Sequence, residues 1–218
     1  MTDVAHAASQ ARLPLWLKLL YTAHMAVLIP VYWHFYGPSN FLYFCDVALL
    51  LTLVAIWTEK PLLISMSLVG ILVPQIVWVL DFVGGLVGLP LNGMTAYMFK
   101  SENSLFLRLL SLFHGWLPFL LLYLVWKLGY DRRAFLYWTV LTWVLILICF
   151  FFMPPPNPNA GLTPVNINYV WGLNDAHPQT WVSPAVWVIG MIVLMPVLFF
   201  APVHYLMSRY MPKAPAPN

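Results

Sequence analysis

The sequence predicts an all-α fold, a polytopic membrane helix bundle of about six transmembrane helices, and two observations carry that prediction. Of its 218 residues, 62% are hydrophobic and 8% charged, with a mean hydropathy of +0.81, whereas soluble domains run near roughly 45–50% apolar and 25% charged. The apolar residues also gather into six runs separated by gaps rich in proline, glycine and charge, and a helix needs about 20 such residues to cross the hydrocarbon. Because the runs are continuous and Leu-rich, a β-barrel, whose strands alternate apolar and polar positions, is disfavoured.

The elements follow in order. The stretch MTDVAHAASQAR lacks the basic start, apolar core and cleavage site of a secretory signal, so residues 1–13 read as a retained tail. Span one covers about 14–36, and GPSN separates it from span two at 41–57. TEKP leads into span three, 62–88, and LPLNGMTAYMFKSENS into span four, 105–128. After GYDRR comes span five, 134–152, then a long proline-rich connection at 153–183, span six at 184–208, and a tail at 211–218. Proline and glycine at these gaps punctuate helices. One helical unit therefore covers 14–210, with no soluble domain and no repeat of fixed period.

Charge sets the expected orientation. Arg12, Lys18, Lys60, Lys127, Arg132, Arg133, Arg209 and Lys213 fall at one end of a six-pass arrangement, and Lys100 and Arg108 at the other. The positive-inside rule then predicts that both termini are cytoplasmic, in a bacterial inner membrane. The formal charge is +3, but the ten Lys and Arg form no basic stripe, which excludes nucleic acid as a partner. The two cysteines, Cys45 and Cys149, lie in apolar runs, so neither a disulfide framework nor a CxxC metal site is expected.

The embedded polar residues are lopsided in depth. His34 closes span one, Cys45 and Asp46 open span two, Asp81 lies near the end of span three, and His114 is in the same half of span four. At about 1.5 Å per residue, Cys45, Asp46, Asp81 and His114 share a layer roughly 5–15 Å below the outer boundary. A carboxylate facing hydrocarbon costs several kcal/mol, so Asp46 and Asp81 are expected to point inward. Ser104, Ser111, His114 and Pro118 recur at helical spacing and suggest an inward polar face on span four. Pro74, Gly84 and Gly85 permit a kink and close backbone approach near Asp81. Arg108 offers a structural alternative, an ion pair with Asp81 or Asp46. His24 and His204 have no acidic companion at their depth, and no HxxxH or ExxH spacing assigns a metal. The long connection carries NINYVWGLND, in which Asn168 and Tyr169 can bind a polar headgroup while Ile167, Val170 and Trp171 rest against the bilayer. No motif specifies a cofactor or an oligomeric state.

This layer admits three kinds of function. Cys45 with His114 supplies a nucleophile and base for acyl transfer, Asp46 and Asp81 supply orienting acids, and Ser111 is an alternative nucleophile. His34, Ser111, Asn168 and Tyr169 then become substrate contacts, with membrane lipids and a lipid-like small molecule as partners. Alternatively, intramembrane Asp and His serve a proton-coupled carrier, or the chain is an assembly subunit. FLYFCDVALL at the start of span two, the histidine of span four and NINYVWG before the last span resemble the YwaF-like bacterial membrane proteins and the related androgen-induced-gene type of intramembrane lipid hydrolases and acyltransferases. That resemblance covers three short patches, and implies action on lipid acyl bonds with Cys45 as nucleophile, His114 as its partner, and Asn168 and Tyr169 in the outer loop.

Overall fold

The computed structural model describes residues 13–89, 91, 93–101 and 103–215. Expectations for residues 1–12, Arg12 among them, and for 216–218 fall outside those residues. Among the described residues the chain is helical, with one isolated β-bridge, Tyr130 to Lys213, as its sole extended pairing. Eight helices make six passes. They are α1 (Leu15–Tyr36), α2 (Phe44–Thr58), α3 (Pro61–Leu86), α4 (Leu105–Ser111), α5 (Phe113–Leu128), α6 (Ala134–Phe152), α7 (Pro184–Met195) and α8 (Ala201–Tyr210). Helices α4 and α5 together form the fourth pass, and α7 and α8, joined by a π-helical turn at Pro196–Phe200, form the sixth.

Contacts between loops fix how the passes alternate. At one end Lys18 Nζ of α1 pairs with Glu59 Oε1 beyond α2 at 2.7 Å. Asp131 N, before α6, donates to Ser65 Oγ near the start of α3 at 3.0 Å, and Tyr130 N donates to Pro212 O past α8. At the other end Asn168, in the 153–183 connection, binds the first turn of α2. Lys18, Lys60, Lys127, Arg132, Arg133, Arg209 and Lys213 therefore collect at one end, Lys100 and Arg108 lie toward the other, and α2 does run between the two ends. Five passes are long and apolar enough to cross a membrane. Helix α2, with 15 residues, is shorter; it extends about 22 Å.

Helix α3 is the axis of the bundle. It packs against α2, α5 and α6 and also meets α8 and the π-turn. Its nine consecutive residues 64–72 are all buried, so it presents no lipid face there. An apolar helix buried on every side is what a central position demands. Gly70 makes the closest of these contacts, since a Cβ there would collide with the indole of Trp138. Buried hydroxyls are served within the bundle: Tyr21 donates to Leu49 O at 3.0 Å, Thr52 to Ala48 O at 2.7 Å, and Ser67 to Leu63 O at 3.1 Å.

Three spans depart from the boundaries expected from hydropathy. Span two starts at Phe44, because Pro38–Leu42 forms a 3-10 turn and Tyr43 is extended. Span four breaks at Leu112, whose N–H bonds Leu109 O three residues back. Span six becomes π-helical where Pro196 removes the donor for Ile192 O, and Trp143 Nε1 of α6 supplies a replacement at 2.9 Å. The fold is that of a polytopic, multi-pass integral membrane protein.

Candidate functional site

A buried polar cluster lies where α1, α2 and α4 meet, at the end opposite most of the basic residues. Asp46, in the first turn of α2, is 3% exposed. Its Oδ2 accepts from Asn40 Nδ2 of the 3-10 turn at 3.3 Å and from Cys45 Sγ at 3.7 Å. Its Oδ1 is buried and has no partner among the described residues, and no described Lys or Arg pairs with the carboxylate. Leaving a buried acceptor unsatisfied costs about 1–3 kcal/mol, more when it is charged. Asp46 is thus a group whose surroundings leave its hydrogen bonding incomplete.

Three tyrosines lie in its vicinity. Tyr32, Tyr36 and Tyr43 lie close enough to sense its charge. Tyr32 OH shares a hydrogen bond with Ser111 Oγ at 3.1 Å, and Ser111 Oγ also donates to Leu107 O at 3.2 Å. Tyr97, from the 3-10 turn Ala96–Met98, sits within interaction range of Ser111 and Trp78. Burial pushes the phenols of Tyr43 and Tyr97 well up from their ordinary value, so both stay neutral hydrogen-bonding groups.

The remaining residues singled out from the sequence divide. His114 follows Ser111 and its Nδ1 bonds Ser111 O at 2.8 Å, the ring lying at 4.9 Å over Trp78 and 4.0 Å from Phe113. Cys45 Sγ is engaged with Asp46, and no described hydrogen bond joins it to His114. Asp81 is fully buried as expected, but its oxygens hold a loop: Oδ1 accepts from Gly93 N at 3.0 Å, and Oδ2 from Thr95 N at 2.8 Å and Thr95 Oγ1 at 2.6 Å. Arg108 forms no ion pair with either acid among the described residues, and its Nη1 instead donates to Met98 O at 3.1 Å. His34 faces outward, against Phe35, apart from the cluster, and Ser104 is exposed rather than inward. Gly85 accepts the ring of Phe99, which stacks on Phe82 at 5.6 Å.

Asn168 is a latch between the outer connection and α2. Its Oδ1 accepts from Phe44 N at 3.0 Å, and its Nδ2 donates to Leu42 O at 2.9 Å. It sits at φ 58°, a left-handed conformation that Asn tolerates better than most residues. Tyr169, also left-handed at φ 61°, offers its carbonyl to Trp187 Nε1 at 3.0 Å. Asn166 completes the loop, with Oδ1 accepting from Trp171 N and Nδ2 donating to Gly172 O and Asp175 Oδ1.

An apolar groove of about 260 Å³ opens at the protein surface, lined by Ile29, Trp33, Pro38, Phe41 and Leu50. It is made by the elements that surround the carboxylate. Leu50 lies one turn along α2 from Asp46, Phe41 adjoins Asn40, and Trp33 adjoins Tyr32. Sequence reasoning missed Asn40, Tyr32 and Thr95. Asn40 stood in the GPSN gap, and Tyr32 lay within the apolar run of span one with no acid near it in sequence. Thr95 carried no signal, because its link to Asp81 arises from the closing of a loop. No family model, curated protein or solved structure matches the chain.

Proposed function

We propose that this membrane protein binds an amphiphile at the end opposite its basic residues, a polar group that donates a hydrogen bond reaching Asp46 and an apolar tail lying in the adjacent groove. The observation that carries this reading is the buried Asp46 Oδ1 with no donor among the described residues, one helical turn along α2 from Leu50, which lines an open apolar groove. Ligand sites commonly combine an apolar lining with a few placed polar groups. A hydroxyl or ammonium head supplies the donor that Asp46 lacks, and an ammonium also supplies the missing positive charge. With the basic end in the cytoplasm of a bacterium, the ligand is a molecule of the outer leaflet of the inner membrane.

The lipid-hydrolase resemblance points to the same class of ligand, with Cys45 and His114 as the reacting pair. Nucleophilic catalysis needs the thiol and imidazole within hydrogen-bonding reach. Cys45 instead donates to Asp46, and no described hydrogen bond joins it to His114, whose Nδ1–H donates to Ser111 O. Binding is therefore better supported than acyl transfer. A carrier is the second reading, favoured by a specific observation: Gln75 Oε1, Thr139 Oγ1 and Thr142 Oγ1, all buried and without partners among the described residues, extend polar groups along α3 and α6 toward the basic end.

The test is the lipid and small-molecule content of the full-length protein purified in mild detergent, measured by mass spectrometry for wild type, Asp46→Asn and Leu50→Trp. Wild type retains a hydroxyl- or ammonium-bearing amphiphile that both variants lose. An identical complement in all three removes the proposal. Asp46-dependent flux of that molecule in liposomes would favour the carrier.

A further inference from the structure

The basic end holds a second feature, unrelated to the cluster around Asp46. A cavity of about 230 Å³ is bounded by Tyr130, Asp131, Arg132, Arg133 and Lys213. Its walls are two segments distant in sequence. The turn between α5 and α6 gives one, and the chain beyond α8 gives the other. They are clamped by Tyr130 N to Pro212 O at 2.6 Å and Ala214 N to Tyr130 O at 3.1 Å. Gly129, at φ 91°, makes the clamp feasible, because a Cβ there would lie 2.6 Å from Lys213 O and from Ala214 Cα. Asp131 N to Ser65 Oγ anchors the turn to α3, and Tyr130 OH bonds His204 Nδ1 at 2.8 Å.

The charge inventory of this cavity is unbalanced. Arg133 is neutralised by Asp131, Nη2 to Oδ2 at 2.8 Å. Arg132 makes one long bond, to Ser208 O at 3.4 Å, and has no described ion pair; Lys213 has neither a described side-chain hydrogen bond nor an ion pair. Three cations therefore face one carboxylate already in use. The position matters equally. The cavity lies just past the last residues of α5 and α8 and before the first of α6, where the chain leaves the hydrocarbon and lipid phosphates reside. Exposed Tyr210, Tyr205 and Tyr137 near these helix ends fit that level. Basic pockets between transmembrane helices at this depth suit anionic headgroups.

We propose that this cavity binds a phosphate-bearing anion, supplied by the headgroup of an acidic phospholipid in the leaflet at the basic end, with Arg132 and Lys213 as the principal contacts and Arg133 joining when Asp131 releases it. Guanidinium groups offer paired donors to phosphate oxygens, and lysine adds a point charge. The site is open at the level where such headgroups are already concentrated, which favours the lipid over phosphate from solution.

The experiment places full-length protein in phosphatidylcholine nanodiscs and titrates in phosphatidylglycerol, counting bound acidic lipids by native mass spectrometry. A parallel arm adds inorganic phosphate to nanodiscs without acidic lipid and follows heat by calorimetry. Arg132→Gln or Lys213→Gln weakens phosphatidylglycerol binding about fivefold each, and the pair roughly 25-fold. Asp131→Asn tightens it by about the same single step, a gain that a misfolded protein does not give. Binding of inorganic phosphate, sensitive to the same substitutions but without phosphatidylglycerol enrichment, keeps the anion site and moves its source to solution. Equal lipid counts in wild type and double variant, or weaker binding by Asp131→Asn, overturn the proposal.

Discussion

Asp46→Asn separates a site held open for a ligand from a structural carboxylate. The amide keeps the size and shape of the side chain, and its oxygen still accepts from Asn40 Nδ2, 3.3 Å from Asp46 Oδ2 in the wild type. What it removes is an acid group that no described cation balances and whose second oxygen has no described donor. A lone buried acceptor costs about 1–3 kcal/mol, and an ionised one more. Asp46→Asn is accordingly expected to lose little stability without ligand, because relief of the unbalanced charge is offset by an amide NH2 with no described acceptor, for a net gain of at most about 1 kcal/mol. For a chain of 150–250 residues that gain raises Tm by about 2–4 °C per kcal/mol. The measurement is thermal unfolding of delipidated protein in detergent, followed by tryptophan fluorescence, with ligand retention scored on the same preparations. Stability won where function is lost marks a functional site. A drop of about 3 kcal/mol or more, the size seen when one member of a buried pair is removed, refutes the reasoning by showing that the carboxylate is fully compensated in the fold.

Three further outcomes follow. Asn168→Gly keeps the left-handed backbone but removes the bonds to Phe44 N and Leu42 O, costing about 2 kcal/mol; amide hydrogen exchange should rise through 153–183 and at the start of α2, and unchanged protection there would contradict the latch. Gly70→Ala drives a methyl into Trp138 and should cost about 1–3 kcal/mol in unfolding experiments, with Trp138→Phe giving partial rescue. The Arg133 hydrogen bonds hold the Asp131 carboxyl below the usual carboxylate range, so its contribution is complete above the unfolded-state pKa and vanishes as pH falls through the lowered folded-state value; Asp131→Asn should flatten that acidic limb of a stability-against-pH curve.

Depth was far more legible in the sequence than direction. Apolar runs gave six passes, and the distribution of Lys and Arg gave the basic end that the Lys18–Glu59 and Tyr130–Pro212 contacts then assemble. Counting residues along a helix places Cys45, Asp46, Asp81 and His114 at similar heights, but height does not say which way a side chain points. In a soluble helix the polar face supplies that direction. Here the lipid-facing and core-facing sides are both apolar, so His34 and Asp46 looked equivalent, though one is exposed and the other buried. Cys45 and Asp46 met because they are consecutive. Asp81 was rightly placed inside, yet its partners came from a loop whose closure no periodicity encodes. The breaks at Leu112 and Pro196 were hidden by uninterrupted hydropathy, because a change of hydrogen-bond register costs no apolar residues.

The shortness of α2 has a consequence for the surrounding bilayer. A helix of about 22 Å beside passes of 22 and 26 residues leaves a mismatch of about 8 Å against a hydrocarbon slab near 30 Å thick. A bilayer accommodates so short a helix by thinning locally, by snorkelling of its flanking residues or by association of chains. Thinning at its Phe44 end would bring headgroups toward the level of Asp46 and so shorten the path from water to the groove that the proposed ligand occupies.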